Sequence, residues 1–308
     1  MNYTFGVDKG GTTIKIGLFD NEYNLLDKYD ITTVRNIDGS QIVIDTVNKI
    51  KEIMEDKKFS YDQLSGIGIA VPGPVKNNFI ISTANINWNN FNVRESFEEL
   101  FDEPVRIVSA NDANSAALGE HIMMNSNSSN TVLITLGTGI GGGIIINNKI
   151  LEGQTGVGGE IGHVPLDEFY NFECGCGRVG CSETVGSARG INLLVKYHLS
   201  EADGSVITTR SSAQQIFDAA KSGDEFALKI VDIYSKYLAK LSNTISVIIT
   251  PATIIFGGGI SKAGDFLINR IQEHYLSMVS FDSQRETKFK LAKLGNEAGM
   301  YGAALLLK

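Results

Sequence analysis

Twice in this chain an apolar run stops at a turn of glycine and threonine, and a second apolar run begins at once. The first instance is Tyr3-Thr-Phe-Gly-Val-Asp8, the turn Lys9-Gly10-Gly11-Thr12-Thr13, and Ile14-Lys-Ile-Gly-Leu-Phe19. The second is Thr131–Leu136, the turn Gly137-Thr138-Gly139-Ile140-Gly141-Gly142-Gly143, and Ile144-Ile145-Ile146. Runs of this kind read as strands and the glycines between them as hairpin turns. A third loop, Gly257-Gly258-Gly259, follows Thr253–Phe256 and opens onto an amphipathic pattern that predicts a helix from Lys262 to Met278. The repeated plan points to two related α/β domains that grip phosphates: glycine turns let backbone N–H groups surround phosphate oxygens, and threonine adds a hydroxyl donor. The common nucleotide fingerprints do not fit. No loop ends in Gly-Lys-Ser/Thr, and Gly139-Ile-Gly-Gly leads into a strand where a dinucleotide fold requires a helix.

Between these turns the periodicities predict strands near 25–32 and 65–71, with a helix around 40–58. A strand at 104–109 hands over to a helix at about 111–124 through Ser109-Ala110-Asn111-Asp112-Ala113-Asn114. After strands at 131–136 and 143–147 the chain is mainly helical, at 183–199, 212–221, 224–249 and 262–279. A strand near 288–294 and a helix near 297–307 follow, and Asn125–Asn130 is one short polar linker. The Asn111-Asp112 pair admits two readings. It serves as a helix N-cap, or Asp112 stands at the carboxyl end of a strand where open α/β sheets bind ligands.

All three cysteines fall in Cys174-Gly-Cys176-Gly-Arg-Val-Gly-Cys181, which begins eleven residues after His163. A disulfide framework would leave one thiol unpaired, whereas three thiols and an imidazole complete a tetrahedral Cys₃His zinc site. The candidate ligands are His163, Cys174, Cys176 and Cys181. Glu160 and Glu183 flank the same glycine-rich stretch. They are either solvated surface charges, as most glutamates are, or groups presented to a hydroxyl-rich ligand.

Composition narrows the classes. With 308 residues, 43% of them hydrophobic and 20% charged, the chain is long enough for two globular domains. A net charge of −8 without any basic run argues against nucleic acid as a partner. The start carries no signal-peptide pattern and no run approaches the ~18 apolar residues of a membrane span, so the expected address is cytoplasmic.

Taken together, Asp8-x-Gly10-Gly11-Thr12, Pro72-Gly73-Pro74, Asn111-Asp112-x-Asn114, Leu136-Gly-Thr-Gly-x-Gly-Gly-Gly143, Glu160-x-Gly-His163 and Cys174-x-Cys176-x₄-Cys181-x-Glu183 resemble the ROK family of bacterial sugar kinases and sugar-responsive repressors. The resemblance spans essentially the whole chain. Gly10–Lys15 and Gly158–His163 look most like the Gram-positive ROK glucokinases. It implies the actin-like, ribonuclease-H-like ATPase fold, with a catalytic cleft between two domains. The implied division is an N-terminal α/β domain over 1–124, with a helix of about 296–308 packing back on it, and a larger α/β domain over 125–295 that carries the zinc loop.

The implied activity is ATP-dependent phosphorylation of a hexose at its 6-hydroxyl, glucose above all. N-acetylmannosamine, N-acetylglucosamine, fructose or a β-glucoside are the alternatives within the family. Asp112 would be the general base. Asn85, Asn111, Asp112, Glu160, His163 and Glu183 would bind the sugar. Asp8, Gly10, Gly11, Thr12, Thr13, Thr138, Gly139 and Gly258 would handle ATP and Mg²⁺, and the zinc would be structural. A homodimer is also implied. Two departures bear on the sugar: Asn87 stands where relatives usually have glycine, and Val164–Phe172 is individual to this chain. A repressor of this family carries a DNA-binding segment of about eighty residues ahead of the first glycine turn; here Asp8 arrives eight residues in, which favours the kinase.

Overall fold

The computed structural model describes residues 2–34, 39–83, 88–124 and 128–308; Asn85, Asn87 and part of the polar linker lie outside the described residues. The chain divides into two compact units. The first comprises Met1–Ser126, Gly143–Gly159 and Asn296–Lys308, and the second Asn127–Gly142 and Glu160–Gly295.

The first unit is built on β1 (Tyr3–Lys9), β2 (Thr13–Phe19), β3 (Leu25–Thr32), β4 (Leu64–Val71) and β8 (Ile107–Asn111), in the order β3-β2-β1-β4-β8. β1 and β2 pair antiparallel with Asp8 opposite Lys15, whereas β1, β4 and β8 run parallel. Asp8 lies beside Ala70, and Val71 beside Asn111. Both polar residues therefore sit at the carboxyl ends of the two parallel strands that flank β4. One face of the sheet is covered by α1 (Ser40–Lys57), whose Ile42, Val43, Val47, Ile50, Ile53 and Met54 join Phe5, Val7, Ile14, Ile16, Ile67 and Ile69 in one core.

Against the opposite face lies α9 (Ala298–Leu305), buried nearly all round. Its backbone comes so close that a Cβ on Gly6 would collide with the Met300 carbonyl, and one on Gly68 with that of Ala303. On its far side Gly302 rests against the Ser115 carbonyl of α3 (Asp112–Met123). Any side chain at these positions would push α9 off the sheet.

A small sheet of β5 (Val75–Lys76), β6 (Phe79–Ser82) and β7 (Asn89–Asn92) precedes the short α2 (Val93–Glu98). The β5–β6 turn is Asn77-Asn78, with φ of 52° and 63°, the left-handed pair that a two-residue hairpin of the favoured twist demands. The same turn recurs at Asn147-Asn148, with φ of 52° and 60°, between β10 (Ile140–Ile146) and β11 (Lys149–Ile150).

The second sheet runs β11-β10-β9-β12-β13, with β9 (Thr131–Leu136), β12 (Thr253–Gly257) and β13 (Lys288–Leu291) parallel; the boundary between the units passes through β10. The helices of the second unit are α4 (Glu183–Gly186), α5 (Ala188–Tyr197), α6 (Ala213–Lys221), α7 (Glu225–Ile249) and α8 (Asp265–Met278). α7 buries Phe226, Ile230, Tyr234, Leu238, Leu241 and Ile245, one stripe at helical spacing. It ends at Thr250 in the left-handed conformation, just before Pro251.

Several boundaries differ from the sequence expectation; the strand expected at 104–109 is Ile107–Asn111, and three others have a visible cause. β10 starts at Ile140, so Gly141–Gly143 belong to the strand, and Gly143 is small because α3 presses on it at Ala113 and Ala117. The expected helix at 183–199 is broken at Ser187, whose extended backbone and Oγ cap on the Gly190 amide start α5 afresh. The helix expected from Lys262 begins at Asp265, because Gly259–Ala263 forms a 3₁₀ turn that stops at Gly264, with φ of 72°.

Candidate active site

In the first unit the chemistry gathers where β1 and β8 end. Burial pushes the Asp8 carboxyl up to about 6 from its ordinary 3.8. The Lys15 and Lys9 charges oppose that rise, and the Asp112 charge adds to it. Gly299, at the start of α9, makes room for this carboxylate: a Cβ there would stand 2.7 Å from Asp8 Cγ. The turn that follows is held in shape by its own backbone, with the Gly10 amide donating to the Thr13 carbonyl at 3.0 Å. Thr33 secures it from outside, its amide donating to the Thr12 carbonyl and its hydroxyl to that of Gly10.

Of the Asn111-Asp112 pair, it is Asn111 that supplies the helix cap. Asn111 is the N-cap of α3, its Oδ1 accepting the Asn114 amide at 3.0 Å. Its Nδ2 donates to the Gly73 carbonyl at 3.1 Å, so the side chain is fixed from both ends. Asp112 is the first residue of the helix, half-buried, with Oδ1 accepting the Ala113 amide at 2.8 Å. A carboxylate in the first turn of a helix is favoured electrostatically by the helix dipole.

In the second unit the four predicted ligands converge. One atom each of His163, Cys174, Cys176 and Cys181 lie within 4.8 Å of one another. Cys176 and Cys181 sulfurs are 3.7 Å apart, and His163 Nδ1 lies 3.6 Å from Cys174 Sγ. Ligands of a tetrahedral zinc, with Zn–S about 2.3 Å and Zn–N about 2.0 Å, stand about 3.8 Å apart for S and S and about 3.6 Å for N and S. These two spacings are close to those of tetrahedral ligands, so the four residues could hold zinc, and the Cys176–Cys181 separation is too long for a disulfide. The backbone N–H and then the guanidinium of Arg178 hold the Cys176 thiol down to about 6. Nδ1 is the imidazole nitrogen turned toward the sulfurs.

Glu183 ties this cluster to the second glycine turn. Its Oε2 accepts the Ile140 amide at 3.0 Å and its Oε1 lies 3.8 Å from Cys174 Sγ. Gly139 packs directly on that carboxylate, leaving no space for a side chain. The turn itself closes through the Gly137 amide on the Gly139 carbonyl at 3.0 Å, and the Ala188 amide fixes the Gly137 carbonyl at 2.9 Å. Glu160 stands apart, exposed at the start of the 3₁₀ turn Ile161–His163.

Beside Thr138 a cavity of about 450 Å³ opens, lined chiefly by apolar groups of Leu136, Ala213, Phe217 and Ile260, with Gln214 and Lys262 at its polar edge. Gly258, which the sequence singles out, adjoins it through Gly259; its φ of 82° and its packing on the Leu136 backbone admit only glycine. Sequence reasoning missed the α6 side of this cavity. A signal was present in Ser212-x-x-Gln215, a capping box whose two hydrogen bonds, at 3.2 and 2.8 Å, set the start of α6. It also missed Asn78, where Asn-Asn between apolar residues marks a hairpin.

Comparison with known proteins agrees with this geometry. The profile of the ROK family matches residues 4–308. The glucokinase of Halalkalibacterium halodurans is 36% identical, with 98% of this chain and 94% of that protein aligned. The solved structure of a ROK hexokinase from Thermus thermophilus superposes with a TM-score of 0.81 at 27% identity, covering 98% and 97% of the two chains. A ROK glucokinase from Streptomyces griseus, solved in complex with glucose and AMPPNP, is 28% identical with a TM-score of 0.72 and covers 99% of each chain. The two α/β units thus form the actin-like, ribonuclease-H-like ATPase fold. Fold, motifs and a profile match over nearly its full length lead to one conclusion: the chain belongs to the ROK family.

Proposed function

We propose that this protein is an ATP-dependent hexose kinase that converts glucose to glucose 6-phosphate. The observation that carries the reading is the start of α3 at the carboxyl end of β8, where Asn111 supplies the helix cap and Asp112 follows as the first helical residue. The 36% identity to a glucokinase supports glucose as the sugar.

In this reading the Asp112 carboxylate accepts the proton of the sugar's 6-hydroxyl as that oxygen bonds to the γ-phosphorus. The bond from the γ-phosphorus to the β–γ bridging oxygen breaks, and ADP leaves. Such transfer depends on positioning and charge stabilisation more than on covalent help from the protein. Gly10, Gly11, Thr12 and Thr13 on one turn, and Thr138 and Gly139 on the other, offer amides and hydroxyls to the phosphates. Asp8 holds the divalent cation, Mg²⁺, that neutralises phosphate charge. The cavity beside Thr138 and Gly258 takes the adenosine.

Asn111, Glu160, His163 and Glu183 are the sugar's hydroxyl partners, joined by Asn85, which lies outside the described residues. His163 offers Nε2 to the sugar because Nδ1 faces the sulfurs. His163, Cys174, Cys176 and Cys181 would hold a zinc ion, which would anchor their loop and take no part in the transfer. Among the described residues no helix is long and apolar enough to cross a membrane, which fits the proposed cytoplasmic setting. The enzyme is proposed to work as a homodimer.

A coupled assay of ADP formation over a panel of hexoses tests the reading. The expected result is the highest kcat/KM on glucose, with 2-acetamido sugars poor. Equal or better turnover of N-acetylmannosamine or N-acetylglucosamine would reassign the sugar, and no ATP consumption with any hexose would overturn the enzyme.

A further inference from the structure

Among the described residues β8 is the edge strand of its sheet, paired on one side with β4. An edge strand leaves every second backbone N–H without a ladder partner, and its last residues are then free to shift. Here the strand ends at Asn111, and Asp112 is the next residue. A shift at this edge is a shift of the proposed base.

The edge is not left open. Asn78, buried at the tip of the β5–β6 turn, turns its side chain onto β8: Oδ1 accepts the Ser109 amide at 2.6 Å and the Ser109 hydroxyl at 3.1 Å. The Asn78 carbonyl in turn accepts the Val93 amide at 2.9 Å, which fixes the turn on α2. Two residues further along β8 the Asn111 side chain donates to Gly73, on the segment that leads into β5. The chain from Gly73 to Asn78 is thus fastened to β8 at both ends, and one carboxamide oxygen does the work of a missing neighbouring strand.

We infer that Asn78 is a positioning residue for the transfer: through Ser109 it fixes the end of β8 and so the place of Asp112. The inference rests on the proposed role of Asp112 as base. The hydrogen bonds of Asn78 go to Ser109 on β8 and Val93 on α2, so its effect on turnover runs through the strand. A displacement of about 1 Å at a reacting group costs on the order of 10²-fold in rate.

Asn78→Gly separates the two duties of this residue, since glycine keeps the left-handed turn and deletes the acceptor. The expected outcome is a folded protein whose kcat falls about 10–100-fold while the KM for ATP stays within about twofold. The pH dependence of kcat should move as well, because the surroundings of Asp112 change. Asn78→Asp keeps an acceptor oxygen and should restore turnover to within a few-fold. Hydrogen exchange at the Ser109 amide provides a readout independent of activity: slow in the wild-type protein and in Asn78→Asp, fast in Asn78→Gly. If Asn78→Gly loses thermal stability but each folded molecule turns over normally with an unmoved pH profile, Asn78 is structural only and the inference fails. An unprotected Ser109 amide in the wild-type protein would also overturn it. Should Asp112→Asn remain active, the base assignment itself fails, an outcome distinct from the first.

Discussion

The Glu183 carboxylate accepts the Ile140 amide proton at 3.0 Å, and this single bond joins the loop of the sulfur cluster to the turn proposed to hold phosphate. A charge-assisted bond to a buried amide is among the stronger kinds in a protein. Glu183→Ala leaves that donor unsatisfied and should destabilise the protein by about 1–3 kcal/mol. It should raise the KM of both ATP and sugar, because both loops lose their shared tether. Glu183→Gln keeps an acceptor and should preserve the ATP KM while still harming the sugar. Thermal melts and two-substrate kinetics check both; a Glu183→Ala protein with an unchanged ATP KM would show the tether to be inert.

Asp112→Asn should lower turnover by about 10²–10⁴-fold, the usual contribution of a general base. Sugar affinity should survive, since the cap on α3 belongs to Asn111 and stays intact. Trp88, the chain's single tryptophan, is fully buried and stacked on Phe91, and its fluorescence offers a binding signal alongside calorimetry. Near-normal turnover in this variant would sink the assignment.

Asp8 carries a pH prediction whose sign follows from its raised value. Below its ordinary 3.8 the carboxyl is protonated in folded and unfolded chains alike, and costs nothing. Between 3.8 and about 6 the folded protein keeps the proton that the unfolded chain loses, so stability declines as pH rises through this window. Above it the folded protein holds a desolvated charge, at a cost on the order of 1–3 kcal/mol. Asp8→Asn should therefore melt higher than wild type at pH 7.5 without Mg²⁺, match it near pH 3.5, and be inactive. Binding of Mg²⁺ should weaken as pH falls through about 6, because the cation competes with the proton for Asp8. A Mg²⁺ affinity that is flat from pH 5 to 8 would remove Asp8 from the metal site.

Cys176→Ala should lose zinc and raise the sugar KM or abolish activity, while far-ultraviolet circular dichroism stays near native. Cys176 is the exposed cysteine of the three, so its loss should spare the secondary structure. Elemental analysis of active wild-type protein should return one zinc per chain. Full activity with well under one zinc would dismiss the site.

How far the chain could be read varied with the range of the forces involved. β3 spans Leu25–Thr32 with strict alternation of half-buried and exposed residues, a pattern that local sequence displays directly. The convergence of His163 with the three cysteines was legible because thiols cluster for few other reasons. The start of β10 was not legible: Gly141–Gly143 have the composition of a turn, and the cause of Gly143's smallness is α3, a contact between distant segments. The break at Ser187 was hidden for a similar reason, since its apolar neighbours keep helical spacing across it. Asn78 looked like an ordinary turn residue, and only the folded sheet shows that β8 is an edge in need of a partner.

The placement of α9 has a consequence for the order of events during synthesis. The glycine face of β1 and β4 is shaped for a helix that leaves the ribosome roughly 190 residues after Asn111. At translation rates of about 5–20 residues per second, that face waits on the order of 10–40 s for its cover. All of the second unit, Asn127–Gly142 and Glu160–Gly295, emerges in the interval. The part of the chain translated first is therefore completed last, and in the meantime its open sheet face is a natural client for chaperones.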